Sequence, residues 1–543
     1  MHVSFNKVSG SPKLLTDYLY DFGKVKKYFG KGAVQKELYP GFFENVLKRY
    51  TGRRRILKGL FSGDYSYGAL SEATACNIDL LEKENTLIVI TGQQLGIAGG
   101  PLYTFYKILS AIKLAESLKA GYPDYNFVPV FWMAGDDHDF DEISKIVFQD
   151  KENKISEILY ENPFGDEDSG NSVGFTPVGP AITGLLDQLE SSLRPTEFTP
   201  DVMKLLRECY AEGKTFGSAF REMIFRLFDK YGLLILNPQN ENVKRELIPI
   251  FREEILNYRT HTEQLIKVSA KLEEEYHAQV KIRPVNLFYN HENRRHAIEP
   301  DEGEGFRLKK KKVRFTKEEL LQEVENNPAL FSPNVVLRPV CQDYLMPVAF
   351  YLGGPAEISY FAQIQPLYEI FGVEGSVPYM RSSATIIEKN ITNVLEKYKL
   401  NPVEAFLMKD DMVESVIRSL SDIDIDKTFK KVAASWESDF NEIIRLVNAL
   451  DKTLEDPAAK SLGRALSSLD ELKRRMESAR DKKHEVAINQ IKKVVTALYP
   501  NNNLQERELN FFSFANKYGL SFLDMLYDKL SVGRNEHQLI IPD

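Results

Sequence analysis

The sequence predicts an α/β protein in which a parallel sheet, interrupted by insertions, is followed by a helical hairpin. Two short apolar runs, "NTLIVI" and "NFVPVFWMAG", flank the segment Tyr103–Lys119, whose apolar residues recur at helical spacing. A strand, a helix and a strand in this order form a βαβ unit, which has parallel strands and a right-handed crossover. Between Phe429 and Val486 apolar residues recur at steps of three and four, as they do along the seam of a helical pair.

Length and composition bound the kind of protein. A chain of 543 residues with 43% hydrophobic and 27% charged residues is typical of a globular protein with two or three domains. Its formal charge of −8 argues against nucleic acid or an anionic membrane as partners. Cys76, Cys209 and Cys341 lie far apart, which favours reduced thiols over a disulfide framework or a zinc site. The start, "MHVSFNKVSGSPKLL", lacks the apolar core of a secretory signal, and no apolar run has membrane-spanning length. We therefore expect a cytoplasmic protein.

Changes of pattern divide the chain into four segments. We predict an N-terminal helical segment packed on the core (1–84), a Rossmann-like core (85–384), a helical coiled-coil domain (385–510) and a C-terminal segment that returns to the core (511–543). Insertions interrupt the core at about 145–230 and 290–330, and the second contains the hairpin pattern "HAIEPDEGEGFRLKKKKVRFT". Further strands are expected at 231–239, 285–290, 335–340 and 375–383.

Two apolar seams in the third segment predict an antiparallel helical hairpin. The first begins at Phe429 and the second at Leu466, with a break at "EDPAAK", where Pro457 suits the first turn of a new helix. The second helix, Ala458–Leu498, would be about 60 Å long at ~1.5 Å per residue. A hairpin of this length leaves apolar surface for another subunit, so we expect a homodimer. A packing domain within one monomer is the alternative.

A glycine-rich loop follows the first strand of the βαβ unit, in "TLIVITGQQLGIAGGPLYTFYK". It matches neither the G-x-x-x-x-G-K-[ST] nor the G-x-G-x-x-G fingerprint. A turn between a strand and a helix N-terminus still offers backbone N–H groups and the positive end of the helix dipole to an anion. We expect the phosphates of a nucleotide here, bound by Gly92, Gln93, Gln94, Gly99 and Gly100. A tight turn with packing glycines is the alternative.

An acidic loop follows the second strand, in "AGDDHDFDEI". It should face the glycine loop, because ligands of a doubly wound sheet collect at the carboxyl ends of the strands. Asp136, Asp137, His138 and Asp139 are the candidate catalytic residues. So many carboxylates repel unless a cation joins them, and the candidates are Mg²⁺ with phosphates, a substrate ammonium, or lysines such as Lys107. Adjacent residues seldom converge on one ion, so no protein-built metal site is expected. A solvated acidic loop is the alternative.

A stretch with polar residues between apolar segments is a candidate for substrate binding. "RPVCQDYLMPVAFYLGGPAEISYFAQI" carries Gln342 and Asp343 inside an apolar pattern and a second Gly-Gly-Pro. The candidates it contributes are Gln342, Asp343, Gly353, Gly354 and Glu357. For the glycines, an ordinary turn is the alternative.

Two later stretches are candidates for binding a nucleotide. "VPYMRSSATIIEKN" supplies Arg381, Ser382 and Ser383, a cation with hydroxyls on a loop that suits a phosphate clamp. The turn "YPNNNLQER" offers Tyr499 and Arg507 as a second place for an adenine and a phosphate, in a crevice between domains. A capped helix start and a helix-ending turn are the respective alternatives.

The order of these motifs resembles known enzymes. A glycine-rich loop, an Asp/His loop, an insertion and a late basic-serine loop is similar to the core of class I aminoacyl-tRNA synthetases. More closely, "TGQQLGIAGGPLYTFYK", "AGDDHDFDEI", "RPVCQDYLMP", "YLGGPAEISYFAQI" and "LYPNNNLQERELNF" resemble the cysteine ligases of bacillithiol biosynthesis, over essentially the whole chain. The resemblance implies a Rossmann-like core with connecting insertions and a coiled-coil domain that promotes dimerisation.

The resemblance also implies an activity. That family is held to add cysteine to the amine of glucosaminyl malate, so the substrates expected here are cysteine and glucosaminyl malate. The reaction would be ATP-dependent amide formation through a cysteinyl-adenylate, with Mg²⁺ beside the phosphates and His138 as general base. The first loop lacks the His-x-Gly-His motif of the synthetases, which leaves open a catalytically silent scaffold that binds a nucleotide or sugar acid. A metal-assisted glycosyltransferase is a third interpretation.

Overall fold

The structure is a computed structural model that describes residues 1–50, 54–62, 68–137, 139–161, 172–409, 411–420 and 424–542. The chain forms two compact units. One comprises Met1–Thr385 and Asn503–Ile540, and the other comprises Ile386–Asn502 and Ile541–Asp543. No helix in the described ranges combines the length and the apolar character needed to cross a membrane.

The strands are short. In chain order they are β1 (His2–Ser4), β2 (Thr86–Gln93), β3 (Asn126–Met133), β4 (Lys145–Gln149), β5 (Ile155–Leu159), β6 (Leu234–Leu236), β7 (Leu287–His291), β8 (Arg294–Pro300), β9 (Phe306–Leu308), β10 (Arg314–Phe315), β11 (Phe331–Pro333), β12 (Val348–Gly353), β13 (Val377–Met380), β14 (Ser383–Ile386) and β15 (Glu536–Ile540).

The α-helices are more numerous and several are long. In chain order they are α1 (Lys13–Tyr20), α2 (Phe22–Phe29), α3 (Tyr39–Arg49), α4 (Arg54–Ser62), α5 (Glu72–Leu80), α6 (Tyr103–Gly121), α7 (Phe140–Ile143), α8 (Ala181–Ser192), α9 (Thr199–Cys209), α10 (Phe216–Phe228), α11 (Glu241–Glu246), α12 (Ile248–Glu273), α13 (Lys317–Asn326), α14 (Arg338–Leu345), α15 (Pro355–Ile370), α16 (Lys389–Lys397), α17 (Pro402–Leu407), α18 (Met412–Leu420), α19 (Ile425–Leu450), α20 (Glu455–Lys483), α21 (Glu485–Leu498), α22 (Gln505–Glu508), α23 (Phe512–Tyr518) and α24 (Phe522–Lys529).

A parallel five-stranded sheet forms the core of the first unit, in the order β13-β12-β2-β3-β6. In β2, every residue from Thr86 to Gly92 is buried, and β3 is buried from Phe127 to Met133. Continuous burial, rather than alternation, is expected of parallel strands covered by helices on both faces. The predicted βαβ unit is β2, α6 and β3, and the predicted Rossmann-like α/β core is confirmed.

The N-terminal helices close one side of this core with aromatic contacts. On α3, Phe43 places its ring 5.3 Å from that of Phe127 on β3 and 6.1 Å from that of Phe350 on β12. Both contacts are edge-on, an arrangement that aromatic pairs favour over a flat sandwich. These contacts hold β3 and β12 in place, away from the strand ends at which ligands collect.

One predicted strand is wrong. The apolar stretch 335–340 runs into the helix α14, while the strand beside β2 is β12, Val348–Gly353. Two features start the helix: the Asn334 side chain accepts from the backbone N–H groups of Val336 and Leu337, and Pro339 lies in the first turn. Both favour a helix N-terminus, and an apolar run of this length does not distinguish the two structures.

The other sheets come from the insertions and the termini. Strands β10-β9-β8-β7-β11 form an antiparallel sheet, and the stretch 296–316, predicted as a hairpin, supplies most of β8 and all of β9 and β10. Strands β4 and β5 form a separate hairpin, and β15 pairs with β1 in a sheet that also contains β14. The predicted strands at 231–239, 285–290 and 375–383 are β6, β7 and β13.

The second unit is helical, and its longest helices, α19 and α20, form the predicted hairpin. Ile425, Phe429 and Trp436 on α19 share a cluster with Leu469 and Met476 on α20. Proline 457 lies in the first turn of α20, as its fixed φ favours.

The single helix predicted for Ala458–Leu498 is wrong, because it is divided into α20 and α21 at His484. At the break, the His484 N–H is shared between the carbonyls of Arg480 and Asp481, 3.1 Å from each. Lys482 and Lys483 lie in the last turn of α20 and Glu485 in the first turn of α21. Cations at a helix C-terminus and a carboxylate at an N-terminus each stabilise a helix end at this position.

Candidate active site at the carboxyl ends of the central strands

A cavity of about 730 Å³ opens where β2 and β12 lie side by side. These are the first and fourth strands of the sheet along the chain, and their neighbours on the other side are β3 and β13. Crossovers leave this point in opposite directions, which opens a ligand crevice at the carboxyl ends of the strands. Gly92 and Gln93 at the end of β2 and Gly354 after β12 line the cavity. Its volume is in the range of small-molecule sites, roughly 300–1,000 Å³.

The glycine-rich loop divides between the cavity and the packed interior. At Gly92 a Cβ atom would lie 2.9 Å from the carbonyl oxygen of Trp132 on the next strand, so no side chain fits. Gly99 and Gly100 have φ values of +84° and +68° and do not line the cavity. The Asn510 side-chain amide donates to the Gly100 carbonyl across 2.9 Å, which holds the loop from behind. The alternative interpretation, a tight turn with packing glycines, therefore applies to Gly99 and Gly100, whereas Gly92, Gln93 and Gln94 line the cavity.

Lys107 joins the two central strands at this point. It is buried, and its Nζ donates to the Gly92 carbonyl (3.0 Å), to Oε1 of Gln93 (2.8 Å) and to Oε2 of Glu357 (2.5 Å). Glu357 also accepts from the Gly354 N–H across 2.8 Å and from the Tyr351 hydroxyl. Although burial alone would raise the pKa of Glu357, the Lys107 ammonium holds it below its usual value. All three ammonium protons are thus used within the protein.

Asp136 and Asp137 of the acidic loop each contact a different cation within the protein. Asp136 pairs with the buried Lys244 at 2.8 Å, and the same ammonium donates to the Phe331 carbonyl. Asp137 accepts from the Gln94 amide across 2.6 Å and lies 3.6 Å from Nη1 of Arg295.

The remaining predicted residues of this loop lie elsewhere. Asp139 caps α7 by accepting from the Glu142 N–H at 3.1 Å and does not line the cavity. His138 lies outside the described residues. The cations that the structure places beside this loop are Lys244, which pairs with Asp136, and Arg295, which faces Asp137.

Gln342 and Asp343 act behind the cavity wall. The Gln342 amide donates to Asp343 across 2.9 Å, and Asp343 accepts from the Ser376 N–H across 2.8 Å. The other end of the Gln342 amide accepts from Nη1 of Arg338 across 3.0 Å. Burial raises the pKa of Asp343 to about 6. These two polar residues therefore orient Arg338, which does line the cavity.

Arg338 is a functional candidate that sequence reasoning missed. Its guanidinium lies 5.0 Å from the Tyr351 ring centroid and donates to the Tyr360 hydroxyl across 2.9 Å. Its recorded hydrogen-bond acceptors, Tyr360 and Gln342, are both neutral. The sequence contains a signal for it, because Arg338 directly precedes the candidate stretch "PVCQDYL". However, Arg338 is also the first residue of α14, within the stretch that the sequence predicts as a strand.

The segment 281–295 contributes a second missed set. Lys281, Arg283, Phe288 and Arg295 line the cavity together with residues of the central sheet. They come from the stretch before β7, from β7 and from β8 of the antiparallel sheet. Nothing in "KIRPVNLFYNHENRR" shows that this segment lines the same cavity as the ends of β2 and β3, because that contact depends on tertiary structure alone.

The basic-serine loop is held in place. Arg381 is buried, with Nη1 donating to the Ser382 carbonyl and Nη2 to Glu506 across 2.7 Å. Ser383 donates to Glu506 across 2.9 Å and contacts Nδ1 of His537 at 2.7 Å. Burial lowers the pKa of His537 to about 4, so it is neutral at pH 7. Among these residues only Arg381 lines the cavity, so of the three residues predicted to clamp a phosphate, Ser382 and Ser383 lie outside its lining and Arg381 is already paired with Glu506.

Tyr499 and Arg507 belong to different units. In the helical unit, Tyr499 stacks on Phe406 with ring centroids 4.9 Å apart and donates to its carbonyl. Arg507 is exposed and lines the cavity, so one residue of the second predicted nucleotide site belongs to the first.

The described lining carries more positive than negative charge. Seven cationic side chains and four carboxylates line it: Lys107, Lys281, Arg283, Arg295, Arg338, Arg381 and Arg507, with Asp136, Asp137, Glu142 and Glu357. Buried partners outside the lining, Lys244 and Glu506, each neutralise one of these charges. Confined between low-dielectric walls, the excess favours an anionic ligand.

A Rossmann-like sheet with a cavity at its switch point is typical of α/β proteins that bind small molecules at the carboxyl ends of the strands. Comparison with known families identifies the family. Residues 1–382 match the family described as Bacillithiol biosynthesis BshC, N-terminal Rossmann-like domain, and residues 384–542 match its C-terminal coiled-coil domain. The chain belongs to this BshC family.

Relatives of similar length carry the provisional name cysteine ligase BshC. One from Salinibacter ruber is 31% identical over 533 residues, which covers 97% of this chain and 96% of the relative. Another from Natranaerobius thermophilus is 32% identical over 531 residues and covers 96% of each chain. A third from Prosthecochloris aestuarii is 32% identical, over 92% of this chain and 93% of the relative.

Proposed function

We propose that this chain is a ligase that joins the carboxyl group of cysteine to the amine of glucosaminyl malate, the last bond of bacillithiol. The family membership and the name of its relatives support the class of reaction. The observation that carries the proposal is the cationic cavity at the switch point, because ATP is a polyanion and glucosaminyl malate carries two carboxylates.

The reaction is proposed to run through a cysteinyl-adenylate. A carboxylate oxygen of cysteine attacks the α-phosphorus of ATP, the bond to the β-phosphate breaks, and pyrophosphate leaves. The sugar amine then attacks the activated carbonyl, AMP leaves with the former carboxylate oxygen, and the amine proton passes to a base. Mg²⁺ bound with the phosphates would offset the charge that develops on pyrophosphate.

The lining offers a role for several groups in this scheme. Arg338 and Arg507 both line the cavity, and neither forms an ion pair with a carboxylate among the described residues. Both are therefore suited to contact the triphosphate. Asp137, oriented by Gln94, is proposed to hold the cysteine ammonium. His138 is retained as the proposed general base on the ground of its place between Asp137 and Asp139.

Association into a homodimer is part of the proposal. The hairpin of the helical unit leaves large apolar side chains in water: Leu446 is 68% exposed, Leu450 85% and Leu472 52%. Such a row of exposed leucines on long helices is typical of a surface covered by another protein.

The test is to incubate the protein with ATP, cysteine and glucosaminyl malate and to detect the amide product by mass spectrometry. Cysteine labelled with ¹⁸O in its carboxylate distinguishes the mechanisms. Transfer of one label to AMP supports the adenylate, whereas label in inorganic phosphate indicates attack on the γ-phosphate. If no product forms in the complete mixture although ATP and glucosaminyl malate both bind, the result would favour the catalytically silent scaffold.

A further inference from the structure

Two arginines of the insertion flank one aromatic ring at the cavity. The guanidinium carbon of Arg295 lies 3.9 Å from the centroid of the Phe288 ring, and that of Arg283 lies 5.3 Å from the same centroid. All three residues line the cavity, as does Lys281, two positions before Arg283. The ring gives both cations an apolar support, which is a favourable place for a guanidinium.

Arg295 is held rigidly by neutral groups. Its side chain is 8% exposed, its Nε donates to the Ser332 hydroxyl across 2.9 Å and its Nη2 to the Pro333 carbonyl across 2.7 Å. Its Nη1 is directed towards Asp137 at 3.6 Å, beyond the usual length of a direct hydrogen bond. The guanidinium is therefore preorganised without a tight carboxylate partner.

Arg283 is the less constrained partner. Its side chain has no hydrogen bond or ion pair recorded among the described residues, and it is exposed at the edge of the cavity. Two guanidiniums on one ring repel each other unless an anion lies near both. Since Asp136 is neutralised by Lys244 and Asp137 faces Arg295, the cations left at this end are Arg283 and Lys281. Their two charges match those of a dicarboxylate.

We propose that Arg283 and Lys281, beside the fixed guanidinium of Arg295, form a subsite for the dicarboxylate portion of the amine substrate. A carboxylate accepts from the fork of Arg283 in a paired geometry, and the second carboxylate lies towards Lys281. This assignment rests on the proposed ligase function, which identifies the amine substrate as one with two carboxylates. The subsite is the end of the candidate active site that would select such a substrate. The triphosphate then occupies the end near Arg338 and Arg507.

The test uses malate alone as the probe, titrated calorimetrically into the full-length protein without ATP or cysteine. We expect wild type to bind malate, and Arg283→Gln to bind it at least tenfold more weakly, with an unchanged melting temperature because Arg283 is exposed. Lys281→Gln should weaken malate binding in the same direction. Arg307→Gln is the matched control. Arg307 is an exposed arginine on β9 of the antiparallel sheet that pairs with Glu299 and does not line the cavity.

Four results would overturn the subsite, of which the first three concern the variants and the choice of anion. They are malate affinity unchanged in Arg283→Gln, an equal loss in Arg307→Gln, or inorganic sulfate bound as tightly as malate and weakened equally by Arg283→Gln. No malate binding by wild type would overturn it as well. The ligase proposal is tested separately, since malate binding through Arg283 can coexist with failure to form the amide, and amide formation can proceed with a malate affinity that does not depend on Arg283.

Discussion

Arg381 and Glu506 form a buried ion pair, in which Nη2 of the arginine donates to Oε1 of the glutamate across 2.7 Å although 125 positions separate them in the sequence. Both side chains are 2% exposed. Glu506 is held further by Ser383 and by the Ala384 N–H. The segment that follows the helical unit thus completes the wall of the candidate site within the first unit.

Breaking this pair should cost stability. Replacing Glu506 by Gln leaves the Arg381 charge buried without its counter-ion, and the free energy of unfolding measured in urea should fall by about 3–5 kcal/mol. Glu241→Gln is the control, because it breaks the pair with Arg245 in which both side chains are 62% exposed, and should change stability by less than ~1 kcal/mol. Equal effects of the two changes would show that the buried pair does not hold the loop.

Asp343 should give stability a dependence on pH. Its pKa in the folded protein is about 6, above the ordinary value of 3.8, because it is buried. The stabilisation associated with this raised pKa is fully present below about pH 4 and is lost as the pH rises through about 6, by at most roughly 3 kcal/mol. Asp343→Asn cannot ionise, so the free energy of unfolding of wild type relative to this variant should fall between pH 4 and pH 7. A pH-independent difference would contradict the assignment.

Neighbouring aspartates of the acidic loop should behave differently. Asp136→Ala leaves Lys244 charged and buried, so the free energy of unfolding should drop by about 3–5 kcal/mol. Asp137 is 38% exposed, so Asp137→Ala should leave the melting temperature nearly unchanged while amide formation falls at least tenfold. Full activity of Asp137→Ala would remove this residue from the proposed site.

Disrupting the exposed apolar row should affect association. Leu446→Glu and Leu450→Glu place charges on side chains that are 68% and 85% exposed, so the helical unit itself should fold as in wild type. Light scattering should show a dimer for wild type and a monomer for the double variant, since an unpaired charge buried in an interface costs several kcal/mol. Glu442→Gln, a change at another exposed position of the same helix, is the control. A wild-type monomer at micromolar concentration would exclude the homodimer.

The position of the nucleotide can be tested at two residues. Removing the charge of Arg507 should weaken ADP binding about tenfold to a hundredfold without loss of stability, because the side chain is exposed and lines the cavity. Tyr499→Phe removes only a hydroxyl that donates to the Phe406 carbonyl and should leave ADP affinity unchanged. Weaker binding in Tyr499→Phe with wild-type affinity in Arg507→Gln would place the nucleotide away from the cavity.

Local patterns in the sequence determined most of the elements. Apolar runs such as "NTLIVI" and the periodicity of Tyr103–Lys119 lead directly to β2 and α6, because strand and helix bury side chains at different periods. The βαβ order then predicted that the glycine-rich loop and the acidic loop face one another, and in the structure Gln93, Asp137 and Gly354 line one cavity. The strand at 335–340 failed because a short apolar run is compatible with either structure.

Only the tertiary structure decided the charge of that cavity. The sequence shows a dense run of carboxylates and predicts that a cation lies beside it, without identifying that cation. Lys244, which pairs with Asp136, and Arg295, which faces Asp137, both come from distant segments. Likewise, Arg381 is read from the sequence as a free clamp, and it is the returning Glu506 that pairs with it. Electrostatic interactions depend on distances between groups that are remote along the chain, and no local pattern encodes those distances.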